Sequence, residues 1–128
     1  MKKTEYKYFM DSSAWLSYFL AENIYIKSVI EQSTLMLTSV ISIFEIKRKL
    51  LKENYERINV ERVLAFIKSR SIIVEITGEI AEVAAEISLR YNLHSTDSLI
   101  YASSKREEST LVTGDSDFNG IPEVKLIT

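Results

Sequence analysis

At 128 residues the chain has the length of one domain that buries its own core, and 46% hydrophobic with 27% charged residues is an ordinary globular balance. With no cysteine and a single histidine, His94, disulfides, thiolate metal centres and multi-histidine zinc sites are excluded, so a bound metal would need oxygen ligands and be a hard ion such as magnesium, manganese or calcium. The formal net charge of −2 gives no global pull towards nucleic acid or an anionic membrane, so a nucleic-acid role requires a local basic patch.

Tyr6 to Met10 is aromatic-rich and predicts a first strand, with residues 1–5 a candidate disordered tail. Asp11, Ser12 and Ser13 follow directly and start a helix marked by Trp15, Leu16, Phe19 and Leu20. No apolar run reaches membrane-spanning length, and Glu5, Lys7 and Asp11 interrupt any signal-peptide core, so the expected location is cytoplasmic with no membrane partner. Asn23 to Gln32 predicts a second helix on Ile26, Val29 and Ile30, and Leu35 to Thr38 a short strand. Ser39 is the expected cap of a longer helix to about Asn54, with Val40, Ile43, Phe44 and Leu51 as its apolar stripe. Off that stripe, Glu45 shares a charged face with Arg48, Lys49 and Lys52.

Asn59 is the expected cap of the next helix, whose inward residues are Val60, Val63, Leu64 and Ile67. Ser71 to Ile76 predicts a β-branched strand, and Gly78 a break. Ile80, Val83, Ala84, Ile87 and Tyr91 then mark an amphipathic helix to about Asn92. Ser95 is the expected cap of a last helix to about Glu107, carrying Asp97 in its first turn. Thr110 to Thr113 reads as a buried strand ending in the acidic turn Gly114, Asp115, Ser116, Asp117, and Val124 to Ile127 as a final strand. Strands alternating with helices imply an α/β fold with a parallel sheet and helices on both faces.

Such sheets bind ligands outside the carboxyl ends of their strands, where Asp11 and Asp115 would both lie. Taken singly, each acid has a simpler explanation. Asp11 caps a helix, Asp97 complements a helix dipole, Asp115 and Asp117 form a turn, and Glu45 pairs with Lys49. Taken together, Asp11 and Asp115 at one sheet edge crowd like charges that a divalent cation would relieve, and a few carboxylates suffice to hold one. Arg48 and Lys49 are candidate RNA phosphate contacts beside Glu45, against the simpler view of a solvated face, which is the better account of Lys52. His94 is better explained by a structural or capping role, and Trp15, Tyr18 and Phe19 by packing than by base stacking.

Four stretches in order, DSSAWLSYF after a strand, Glu45 early in a helix, LHSTDSLIYAS and LVTGDSDF, resemble a PIN domain. More narrowly they resemble the single-domain VapC toxins of VapBC toxin–antitoxin pairs, over nearly the whole of residues 1–128. The resemblance implies one PIN-like domain, with a twisted parallel sheet of four to five strands flanked by helices. It also implies a magnesium- or manganese-dependent endoribonuclease that leaves a 5′-phosphate and a 3′-hydroxyl. Asp11, Glu45, Asp97 and Asp115 match the family's four acidic positions, which implies Asp11, Asp97 and Asp115 as metal ligands and Glu45 as base to the attacking water or a ligand through water. Asp117 matches an auxiliary acid, and Ser13 and Thr113 its small hydroxyl residues. A homodimer and a cognate antitoxin partner are implied as well.

A response-regulator receiver would want paired acids after the first strand and a mid-chain phospho-accepting aspartate, where this chain has Asp11-Ser12-Ser13 and an acid-free strand end at Thr38. A haloacid-dehalogenase-type phosphatase would want D-x-D after the first strand. The remaining alternative is a catalytically inactive PIN-like module that binds RNA or protein.

Overall fold

The computed structural model describes residues 7–32 and 35–127. Its elements run β1 (Tyr8–Met10), α1 (Ser12–Ala21), α2 (Ile24–Gln32), β2 (Met36–Ser39), α3 (Val40–Lys52), α4 (Arg57–Arg70), β3 (Ile72–Val74), α5 (Gly78–Tyr91), α6 (Ser95–Arg106), β4 (Thr110–Thr113) and β5 (Val124–Leu126). A 3₁₀ turn, Ser116–Phe118, separates the last two strands. All strand pairings are parallel, in the order β3-β2-β1-β4-β5. The chain winds outward from β1 in one direction to β3, then returns to the other side of β1 to lay down β4 and β5. The carboxyl ends of β1 and β4 are therefore the switch point at which such sheets form a crevice.

Alternation along the strands divides the core between the two sheet faces. Met10 and Val112 join Trp15, Ile26, Ile30, Ile46, Leu50, Leu64 and Ile67 beneath α1 to α4. Phe9 and Leu111 point the other way, to Leu93, Ile100, Tyr101, Phe118 and Ile121. Central strands buried on both faces read as unbroken apolar runs, which is why Thr110 to Thr113 was legible as a strand with its correct bounds. The edge strand β3 keeps only Ile72–Val74 of the predicted Ser71 to Ile76, with Ile72 half exposed. The predicted first strand is present over Tyr8–Met10, while Tyr6 and the tail 1–5 lie outside the described residues.

The apolar stripe expected for α3 is corrected. Its buried residues are Ser42, Ile46 and Leu50, whereas Val40 and Phe44 are exposed and Ile43 and Leu51 only partly covered. Seven apolar residues spread around this helix, so spacing alone did not select a face, and the buried Ser42 disguised the true one. The start of α4 is also earlier than Asn59: Arg57 opens the helix and Glu56 occupies the cap position without a side-chain cap bond. Gly78 does not break the chain but begins α5, because the Thr77 side chain accepts the Ile80 N–H as a cap. Ser95 is the first residue of α6 rather than its cap, a position held by His94 without a side-chain bond.

Candidate active site

Asp11 is the best-anchored acid. It follows β1, is buried, and caps α1 by accepting the Ala14 N–H at Oδ1, 3.0 Å away. The Ser13 hydroxyl donates to the same oxygen at 2.6 Å, and the Thr113 hydroxyl at the end of β4 donates to Oδ2 at 2.5 Å. A hydroxyl has one proton. With both protons given to Asp11, the 3.3 Å approach of Ser13 Oγ to Thr113 Oγ1 is a contact between acceptors. Their lone pairs are used by the next turn: Gly114 N–H donates to Ser13 Oγ at 2.8 Å and Asp115 N–H to Thr113 Oγ1 at 3.0 Å. Two hydroxyls thus clip the ends of β1 and β4 together around one carboxylate.

Asp115 is placed by that clip, and its Oδ1 in turn accepts the Asp117 N–H at 2.9 Å. Asp97 approaches from the first turn of α6. Carboxylate oxygens of Asp97, Asp115 and Asp117 lie within 4.8 Å of one another. Asp97 and Asp115 are half-buried and Asp117 is exposed. Asp11 is not in this tight trio, and its carboxylate is occupied by three hydrogen bonds. Glu45, half-buried on α3, is held by the Ser12 hydroxyl, which donates to Oε1 at 3.2 Å.

The electrostatics follow from this crowding. Burial raises the Asp97 carboxyl from 3.8 to about 6, and the charges of Asp115, Asp11, Asp117 and Glu45 add to the rise. No hydrogen bond offsets it. Burial also raises Asp11, against the bonds from Ser13, Thr113 and Ala14, and the charge of Asp115 adds to it. Glu45 is raised by burial first and by the charges of Asp11 and Asp115, with the Ser12 bond opposing. All five acids singled out in the sequence therefore interact at one sheet edge, although they come from four separate parts of the chain.

The rest of the predicted set divides. Lys49 pairs with Glu53 at 3.1 Å, not with Glu45, so the simplest explanation offered for Glu45 does not hold. Arg48 is exposed one turn further along α3 and makes no ion pair among the described residues. His94 Nε2 is 4.0 Å from Asp117 Oδ2, on the rim of the trio. Trp15 is fully buried, donating through Nε1 to Thr38 Oγ1 at 3.2 Å. Tyr18 and Phe19 pack with Phe66 of α4. Aromatic packing, not base stacking, accounts for these three. Ser12 was missed as more than a helix start, because nothing local in DSS shows which of two serines reaches another helix.

The PIN domain family model matches residues 8–124. No curated protein sequence matches the chain. Among solved structures, the fold is similar to a toxin–antitoxin complex from Klebsiella pneumoniae, at 24% identity and a TM-score of 0.76, covering 91% of this chain and 94% of that one. It is similar to VapC20 of Mycobacterium tuberculosis, described as a sarcin-ricin loop cleaving toxin, at 18% identity and a TM-score of 0.75, covering 94% and 99%. A third similar structure is VapBC2 from Rickettsia felis bound to a promoter DNA fragment, at 16% identity and a TM-score of 0.74, covering 94% and 97%.

Proposed function

The chain belongs to the PIN domain family, and from that premise we propose that it is a metal-dependent endoribonuclease acting as the toxin of a toxin–antitoxin pair. One observation carries the proposal: carboxylates of Asp97, Asp115 and Asp117 lie within 4.8 Å of one another, close enough to Asp11 and Glu45 for all four to raise Asp97. Mutual repulsion at a partly open site is the signature of a place that is more comfortable with a cation than without one. The donor set is all oxygen, which fits magnesium or manganese and not a thiolate- or imidazole-seeking metal.

When bound, such an ion supplies an activated water and stabilises charge on a phosphoryl oxygen. Asp97, Asp115 and Asp117 would hold it, with Asp11 adding its charge while it fixes the strand ends. Glu45, with its carboxyl raised above the usual value, is the base placed to accept a proton from a water at the cluster. Arg48 and Lys49 face the RNA backbone beside Glu45. The Lys49–Glu53 pair is exposed and worth at most about 1 kcal/mol, so it yields readily to a phosphate. The products are a 5′-phosphate and a 3′-hydroxyl.

The similar structures from Klebsiella pneumoniae and Rickettsia felis contain toxin–antitoxin pairs, which supports an antitoxin partner here. A homodimer is proposed as well, supported by exposed Val40 and Phe44 on α3 and Leu89 on α5, apolar surface for it to cover. No helix among the described residues is long and apolar enough to cross a membrane. The test is cleavage of a mixed cellular RNA pool with manganese or magnesium, with chelator, and with Asp97→Asn. Discrete fragments that require the ion and vanish in the variant are expected. Fragments that persist with chelator would refute the proposal.

A further inference from the structure

Ser12 makes a hydrogen bond that its local position does not require. As the first residue of α1 its hydroxyl has solvent and nearby backbone to choose from. Instead it reaches α3, 33 residues away, and donates to Glu45 Oε1 at 3.2 Å. The cap of α1 is already supplied by Asp11, and the clip to β4 by Ser13, so Ser12 is left for this one contact.

The contact matters because of what Glu45 would otherwise do. A glutamate has three rotatable bonds and little reason to stay among like charges. Asp11 and Asp115 both repel it, and among the described residues no cation pairs with it: Lys49 goes to Glu53 and Lys47 to Glu61. The Ser12 hydroxyl is the one hydrogen bond to this carboxylate among the described residues. It uses Oε1 and leaves Oε2 without a hydrogen bond among the described residues. Ser12 also stands at the N-terminus of α1, where the helix end favours a negative charge.

We infer that Ser12 is a positioning residue: its hydroxyl holds the Glu45 carboxylate in the acidic cluster, fixing one oxygen so that the other is free for the reaction. This rests on the nuclease reading of the same site. Groups that orient the residues around a metal typically change activity or metal affinity by about 10–100-fold when lost.

The experiment compares wild type, Ser12→Ala, Ser12→Thr, Glu45→Gln and the Ser12→Ala/Glu45→Gln double variant, each measured for RNA cleavage and for Mn²⁺ affinity by calorimetry. Ser12→Ala is expected to lower kcat about 10-fold or more with KM little changed, and to weaken Mn²⁺ binding. Ser12→Thr keeps the hydroxyl and is expected to restore both. On the Glu45→Gln background the serine change is expected to add nothing, because the two residues act as one unit. A Ser12→Ala protein with wild-type cleavage and Mn²⁺ affinity would overturn the inference and leave the nuclease intact. So would a loss that Ser12→Thr fails to restore, or one that adds in full to Glu45→Gln. Wild-type protein that binds no Mn²⁺ and cleaves nothing would overturn the nuclease reading, and the inference with it.

Discussion

Replacing Asp97 by Asn should make the metal-free protein more stable, not less. Among the described residues Asp97 accepts no hydrogen bond, and its carboxyl is raised from 3.8 to about 6 by burial and by four neighbouring acids. A carboxyl raised in the folded state favours folding below its unfolded value and loses that contribution as pH rises through the folded one. At neutral pH the wild-type protein therefore carries the full penalty of the ionised group. Unscreened, it would cost about 3 kcal/mol, at about 1.36 kcal/mol for each tenfold change in proton affinity. Solvent reaches roughly half of the group, which reduces the cost to about 1–1.5 kcal/mol. For a chain of this size that is about 4–5 °C in Tm.

The assay is thermal melting of both proteins in chelator, near neutrality and again at about pH 4.5, followed by the same melts with Mn²⁺. Asp97→Asn should melt higher at neutral pH, and the gap should close as the pH falls towards 4. Asp11 and Glu45 are raised as well and impose a slope of the same sign on both proteins, so the difference between proteins is the informative quantity. With Mn²⁺ the order should reverse. Wild type gains about 2.7 kcal/mol when the ion is at about a hundred times its Kd, and the variant gains much less. An Asp97→Asn protein that melts below wild type in chelator at neutral pH would refute the claim that this carboxylate is held among repelling charges.

Further outcomes follow from the same contacts. Thr113→Val keeps the shape but leaves buried Asp11 Oδ2 and the Asp115 N–H without their partner, and should cost about 2 kcal/mol by denaturant unfolding. Gly114→Ala should be nearly silent in the same assay, because a Cβ there meets Ile127 Cγ1 and Ser13 Oγ only at 3.5 Å, an ordinary contact. Glu22→Gly should stabilise by about 0.5–1 kcal/mol, since Glu22 ends α1 in the left-handed region at φ 49° and exposed at a helix C-terminus. Arg48→Ala should weaken RNA binding and reduce its salt dependence, measured as the slope of log affinity against log salt, by about one phosphate contact.

What the sequence made legible tracks how local each signal is. The strand Thr110 to Thr113 and the helix starts at Asp11 and Ser39 were read correctly, because a buried apolar run and a capping side chain are written in consecutive residues. The buried face of α3 was misread, because apolar residues surround that helix and a serine sits in the middle of the face that counts. The five acids were found as candidates because each stands at the boundary of an element, or on a helix beside one. Their grouping was not legible. Spacing brought together only Asp11 and Asp115, with Asp117 as an auxiliary, whereas the carboxylates within 4.8 Å of one another are those of Asp97, Asp115 and Asp117, and Asp115 Oδ1 ties the Asp117 backbone beside it. The role of Ser12 was hidden for the same reason: its partner lies 33 residues away on an element whose orientation only the packed fold decides.

This division of labour decides which acid is the clean probe of the site. Asp11 caps α1, receives both clip hydroxyls and joins the ends of β1 and β4, so Asp11→Ala would remove a helix cap worth about 1 kcal/mol and strand the Ser13 and buried Thr113 hydroxyls besides. Loss of cleavage in that variant would not separate a missing charge from a loosened sheet edge. Among the described residues Asp97 and Asp117 accept no such bonds, and Asp117 is exposed with only the 4.0 Å approach of His94, so substituting them removes charge with little loss of support. If the cluster binds a cation, Asp97→Asn and Asp117→Asn should weaken Mn²⁺ affinity while Tm in chelator holds or rises. Asp11→Asn should lower both. A common fall in Tm across all three would mean that the acids serve the fold alone.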